Sequence, residues 1–180
     1  MFGGTWKRTV AITTAVALVA AAGSAAAPAA HARRTVALSA LERGVLTDVN
    51  AIRRNHHLRP LTISAGLTAA ARQHSSEMSQ RGYFAHESAD GTPFDKRVGR
   101  YFPASHYRYW SVGENLVWAA PDLSAAGALD LWMHSAPHRE NLLTARWRQI
   151  GISAVHVNAG PGTFGGQPTT IITADFGVRY

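Results

Sequence analysis

A single proline separates the most apolar helical run of this 180-residue chain from a group of polar side chains. Ala125, Ala126, Leu129, Trp132 and Met133 recur at helical spacing after Pro121-Asp122, and the run then meets Pro137. Proline lacks a backbone N–H and pushes the residue before it out of helical geometry, so the helix is expected to stop there. His138 then falls at a bend, held by the scaffold without packing along a helix face, where binding and catalytic groups concentrate. Two earlier segments carry chemistry of the same kind, Tyr83-Phe84-Ala85-His86 and Gly113-Glu114-Asn115. Sequence separation leaves open whether His86, Glu114 and His138 meet in space.

The chain opens with Lys7 and Arg8, continues uncharged from Thr9 to Ala30 and reaches Ala30-His31-Ala32 before Arg33. A basic start, an apolar middle and small residues at the end are the pattern of a secretory signal peptide, expected to span 1–32. Its apolar core is short for a membrane span. Residues 33–180 are then one exported domain with no transmembrane segment and one core. Losing Lys7 and Arg8 leaves 16 basic residues against 11 acidic ones, a net charge of +5 carried almost wholly by arginine. Outside a cell that charge favours anionic lipid or phosphate-bearing wall polymer, with a pull that salt weakens. The charge is scattered and no zinc-finger or ribonucleoprotein signature accompanies it, so nucleic acid is not an expected partner. The chain contains no cysteine, which removes disulfides, thiolate metal sites and a cysteine nucleophile.

Taken in order, Ser39-Ala40-Leu41-Glu42 fits a capping box for a helix over about 40–54. His56-His57 follows it as a solvated pair. Ser64 caps a second helix whose Leu67, Ala70, Ala71, His74 and Met78 share a face and which Gly82 ends. His74 reads as a core histidine satisfied by a backbone carbonyl. Thr92-Pro93 opens a short helix through Val98. The aromatic, basic stretch from Tyr101 to Trp110 reads as a loop tucking rings onto the core or as a binding rim. Residues 113–118 read as a strand, Gln149 to Val157 and Thr169 to Val178 as two more joined by a Gly/Pro-rich hairpin. Helices followed by a terminal antiparallel hairpin predict a layered α+β domain.

Six segments in this order resemble the CAP superfamily of cysteine-rich secretory, antigen 5 and pathogenesis-related proteins, in its bacterial exported form. They are His74 to Met78, Tyr83 to His86, Gly113 to Asn115, Trp132 to Asn141, Ile150 to Ile152 and Asp175 to Gly177. The resemblance implies a three-layer α-β-α sandwich with a central antiparallel sheet and a cleft lined by two histidines and acidic residues. Carried over by position, these are His86, His138 and Glu114, which the resemblance implies as ligands for a divalent cation such as zinc or magnesium and as catalytic candidates. The family's second acidic residue falls near His134 or Ser135, neither of which is a carboxylate.

Two imidazoles and a carboxylate are a reasonable open zinc site, able to activate a water. Glu114 could instead orient one histidine as a base, or the same groups could form a structural hydrogen-bond cluster. His86-Glu87-Ser88-Ala89-Asp90 starts like a zincin helix but has Asp where the second histidine belongs. No Gly-x-Ser-x-Gly elbow or phosphate-binding glycine loop is present. The expectation is therefore a secreted binding module for a lipid, glycan, wall polymer or protein, with a metal-assisted hydrolase as the alternative.

Overall fold

A computed structural model of the chain describes residues 14–19 and 36–180. Five strands form one sheet in the order β1-β3-β5-β4-β2. They are β1 (Thr14–Val19), β2 (Thr62–Ile63), β3 (Trp110–Ala119), β4 (Gln149–Gly160) and β5 (Gln167–Arg179). The long pairs β3–β5 and β4–β5 are antiparallel, as expected, but β2 runs parallel to β4. The sheet is therefore mixed. β2 is a two-residue entry to the following helix, and it takes the direction that the packing of that helix on β4 imposes. Most of the expected leader lies outside the described residues, but Thr14–Val19 within it pairs antiparallel along the outer edge of β3, with Ala15 opposite Glu114.

Alternation along the strands sorts side chains onto two faces. Ile150, Ile152, Val117, Ile172, Ala174, Phe176 and Val178 join Val45, Val49, Trp132 and Leu142 in one core. That core lies under α1 (Ala40–Asn55), α4 (Ala125–His134) and α5 (Ala136–Leu142). On the other face, Trp110 and Val112 pack with Leu67, Ala70, Phe94, Val98 and Phe102. Those belong to α2 (Ala65–Arg81), α3 (Phe94–Tyr101) and the residue after it. Helices thus cover both faces of the sheet.

The expected caps form. Glu42 N donates to Ser39 Oγ at 3.2 Å and Ser39 N to Glu42 Oε2 at 2.7 Å. The other Glu42 oxygen accepts from Ala154 N at 3.2 Å, fixing α1 against β4. Gly82 ends α2 in the left-handed conformation, with φ of 70°. A buried arginine the sequence did not signal, Arg53, donates to the carbonyls of Arg59, Leu142 and Thr144 and ties α1 to the segment after α5.

The break before His138 is displaced from its expected place. α4 ends at His134, Ser135 is extended, and Pro137 sits in the first turn of α5. His138 is therefore helical and does not lie at an irregular bend. A proline in a first turn gives up a donor that has no intrahelical partner anyway, so it opens the second helix and does not end the first.

Gly151 marks the closest approach of α2 to the sheet. A Cβ there would lie 2.0 Å from Leu67 C and 2.1 Å from Thr68 N, both backbone atoms that cannot rotate aside. Gly151→Ala is expected to lower unfolding stability by about 3 kcal/mol or more, at the top of the range for overpacking a core, measured by urea denaturation.

Candidate functional site

Glu114 stands at the centre of β3 on the face covered by α2 and α3, and its side chain is fully buried. An isolated carboxylate at that depth would be neutralised or expelled, so its partners decide what it is. His86 Nδ1 lies 2.8 Å from Glu114 Oε1. Because an ionised carboxylate only accepts, Nδ1 carries the proton. The second oxygen, Oε2, is bound by the guanidinium of Arg97, which is itself fully buried on α3. Arg97 also donates to the carbonyl of His86 at 2.7 Å. One arginine thus fixes the carboxylate and the backbone of the histidine bound to it.

Asp175 is directly opposite Glu114 in the β3–β5 ladder, also with no exposed surface. Ionised, neither of its oxygens finds a donor among the described residues. Burial, and then the charge of Glu114, push its carboxyl well above the ordinary range, so it is held as the neutral acid. Only in that form can it donate to Glu114, which favours the proton further. His74, on the facing side of α2, donates from Nε2 to Ala85 O at 2.8 Å. Desolvation lowers its pKa to about 4 and keeps the ring neutral. For Glu114 burial works in the raising direction, but the His86 hydrogen bond and the Arg97 charge outweigh it and hold the pKa at about 2. With Asp175 and His74 neutral, the charge of Glu114 is set against that of Arg97.

Of the sequence-derived candidates, His86 and Glu114 are in direct contact. His138 is buried on α5, the helix that packs under the opposite face of the sheet, and its carbonyl accepts from Asn115 Nδ2 at 3.1 Å. Asn141 Nδ2 donates to Asn115 Oδ1 at 2.9 Å, and Trp147 Nε1 donates to Asn141 O at 3.0 Å. Gly113 makes room for this lock, since a Cβ there would stand 2.6 Å from Asn141 Oδ1. Among the described residues no three His, Asp or Glu side chains are grouped so as to hold a metal ion. With Arg97 on one oxygen of Glu114 and His86 on the other, a divalent cation would have to sit beside a guanidinium. The residues present do not fit a cation at Glu114 in this geometry.

Sequence reading missed Arg97 and Asp175. The signal for Arg97 was present: it shares the inner face of a short helix with Phe94 and Val98, at helical spacing. Asp175 could have been found from the alternation of β5, which places it with Ile171 and Thr173 on the face turned to α2. The histidine pair His56 and His57 is exposed, as expected. Glu140, the carboxylate nearest in sequence to His134 and Ser135 on the C-terminal side, is exposed as well.

Helices on both faces of a mixed sheet, with a buried His–Glu–Arg group on one of its long strands, define a three-layer α-β-α fold. The sequence model of the CAP, cysteine-rich secretory protein, family matches residues 46–176, and the chain belongs to that family. It is 34% identical over 119 residues to an uncharacterized protein, YkwD, of Bacillus subtilis, a match spanning 66% of this chain and 44% of that protein. A second B. subtilis relative, the uncharacterized membrane protein YlbC, is 28% identical over 111 residues, 62% of this chain and 30% of that protein. The chain thus spans less than half of the curated relatives it matches. Among solved structures, an outer surface protein of Borrelia burgdorferi superposes with a TM-score of 0.62 at 17% identity, covering 77% of this chain and 92% of that one. An extracellular SCP-domain protein of Bacillus anthracis gives 0.56 at 23% identity, over 79% and 44% of the two chains. These likenesses show the fold. Among the described residues no helix is long and apolar enough to cross a membrane.

Two measurements test the cluster. Glu114→Gln leaves Arg97 charged and buried without its partner and is expected to cost about 3 kcal/mol or more, read by urea denaturation. The pH dependence follows from the shifts. His74 protonates near 6.5 unfolded and at about 4 folded, so stability is lost as pH falls through that window. Glu114 adds a further loss as pH falls from 4.5 toward about 2. Asp175 acts in the opposite sense: with its pKa raised in the folded chain, its contribution is fully present below the ordinary carboxylate range and is lost as pH rises above that range. His74→Gln, which keeps a donor for Ala85 without titrating, is expected to flatten the limb between pH 6.5 and about 4.

Proposed function

We propose that this CAP-family protein acts outside the cell as a binding module, and that the Glu114 group organises its cleft without performing hydrolysis. One observation carries the reading: both oxygens of Glu114 are committed, one to His86 and one to Arg97, with no exposed surface on either Glu114 or Arg97. A general base must reach a substrate proton, and a metal-activating carboxylate must offer an oxygen lone pair. Glu114 has no exposed surface through which a substrate proton could reach it, and a cation taking one of its remaining lone pairs would sit beside the Arg97 guanidinium. What it does is hold α3 and the His86 segment against β3, so the surface above them keeps one shape for a ligand. The ligand classes are those of the family resemblance: lipid, glycan, wall polymer or protein. Export rests on the leader pattern at 1–32 and is supported by structural relatives described as outer-surface and extracellular.

Calorimetric titration of the chain with zinc and with magnesium, beside a His86→Ala/His138→Ala variant, tests this. The expected result is no site tighter than about millimolar, worth roughly 4 kcal/mol. A micromolar site lost in the variant would transfer the reading to a metal-assisted hydrolase.

A further inference from the structure

At the end of the sheet where β3 begins and β5 finishes, Tyr109, Arg146, Arg148, Val178, Arg179 and Tyr180 line a cleft of about 340 Å³. Each of the three arginines is held in place by carbonyls or aromatic rings. Arg148 Nη1 lies 2.8 to 3.1 Å from the carbonyls of Ala145, Arg146 and Trp147. The Arg179 guanidinium stacks on Phe102 at 3.9 Å and Tyr107 at 4.7 Å, and donates to Pro103 O at 3.0 Å. Arg146 lies over the Trp147 ring at 4.7 Å. The ion pairs among the described residues involve Arg72, His86, Arg97 and His134, not these three. The positive field reaches inward, since the charge of Arg148 is one of the causes, after burial, that lower the pKa of Arg53.

Three arginines and no acidic side chain line this cleft, so positive charge accumulates at its walls and favours an anion. One wall carries the stacked pair Tyr109 and Tyr180, with centroids 5.0 Å apart and planes 18° apart. A phosphodiester matches these features. Its two non-bridging oxygens accept forked N–H pairs from arginine, and its aliphatic linkers can lie on aromatic rings. We propose that the Arg146/Arg148/Arg179 cleft is a binding site for phosphodiester anions, presented either as an extended glycerol phosphate polymer or as a lipid headgroup. The site shares no residue with the Glu114 group, so it stands or falls apart from the function proposed above.

The test uses the full chain with two probes, soluble poly(glycerol phosphate) and phosphatidylcholine vesicles with or without phosphatidylglycerol. Arg146→Gln/Arg148→Gln is expected to weaken binding about tenfold or more, from the loss of charge-assisted hydrogen bonds. The charge-matched variant Arg54→Gln/Arg81→Gln removes two exposed arginines elsewhere and is expected to leave affinity within about twofold, as screened distant charge should. Arg146→Lys/Arg148→Lys, which keeps the charge but loses the fork, is expected to fall between and also reports on folding. Loss confined to the polymer identifies a wall-type ligand, and loss confined to vesicles identifies a headgroup; either supports the site. Equal loss in both charge-removing variants, equal binding of polyglutamate, or no binding of either probe by the wild type overturns it.

Discussion

One carboxylate, placed where no water reaches, dictates much of this molecule. Glu114 sits on an inner strand between layers of helix, and an ionised group there is tolerated only with opposite charge and hydrogen bonds in contact. Arg97 supplies the charge and His86 one of the bonds. Because Arg97 also binds the carbonyl of His86, the short helix α3 and the segment after α2 are fixed by the same interaction. Asp175 cannot be ionised beside Glu114 and stays protonated, so the β3–β5 contact carries one negative charge there and not two. Four residues from four parts of the chain therefore share one electrostatic solution.

The opposite face solves a different problem with different chemistry. There the constraint is packing of α5 and Trp147 onto the sheet, and it is met by amides and by a missing side chain. Asn115 and Asn141 hydrogen-bond to each other and to the backbone and indole around them, and Gly113 leaves the space they need. The triplet Gly113-Glu114-Asn115 thus serves both layers, its middle residue facing one way and its neighbours the other.

Much of this was legible in the residues. The capping box at Ser39, the αL end at Gly82, the backbone-bonded core histidine at His74 and the terminal strand pair followed from local spacing and turn chemistry, which act over a few residues. The order of the family-like motifs carried the α+β layering. Other features depend on long-range packing and were harder to read. The parallel pairing of β2 depends on which strand its helix packs against, a long-range matter. The helical setting of His138 hinged on whether Pro137 ends a helix or begins one, and proline is compatible with both. Arg97 was half legible: its spacing with Phe94 and Val98 marks the inner face of a short helix, but nothing local names Glu114 as its buried partner. For the same reason the spacing of His86, Glu114 and His138 along the chain could not say that Glu114 faces α3 while His138 is carried by a helix of the other layer. That division comes from the pleat of β3 and from the packing of whole helices.

The Arg97–Glu114 contact joins two elements 17 residues apart in the chain, in the way a short covalent bridge does in many exported domains. Unlike such a bridge it contains no sulfur, and the chain has no cysteine to form one. Disulfide cross-links exist only where the surroundings are oxidising and can shuffle with free thiols. This fold has no oxidation state. Its internal tie is identical in reducing and oxidising surroundings, needs no oxidant or isomerase to form, and is undone by acid instead of by electrons.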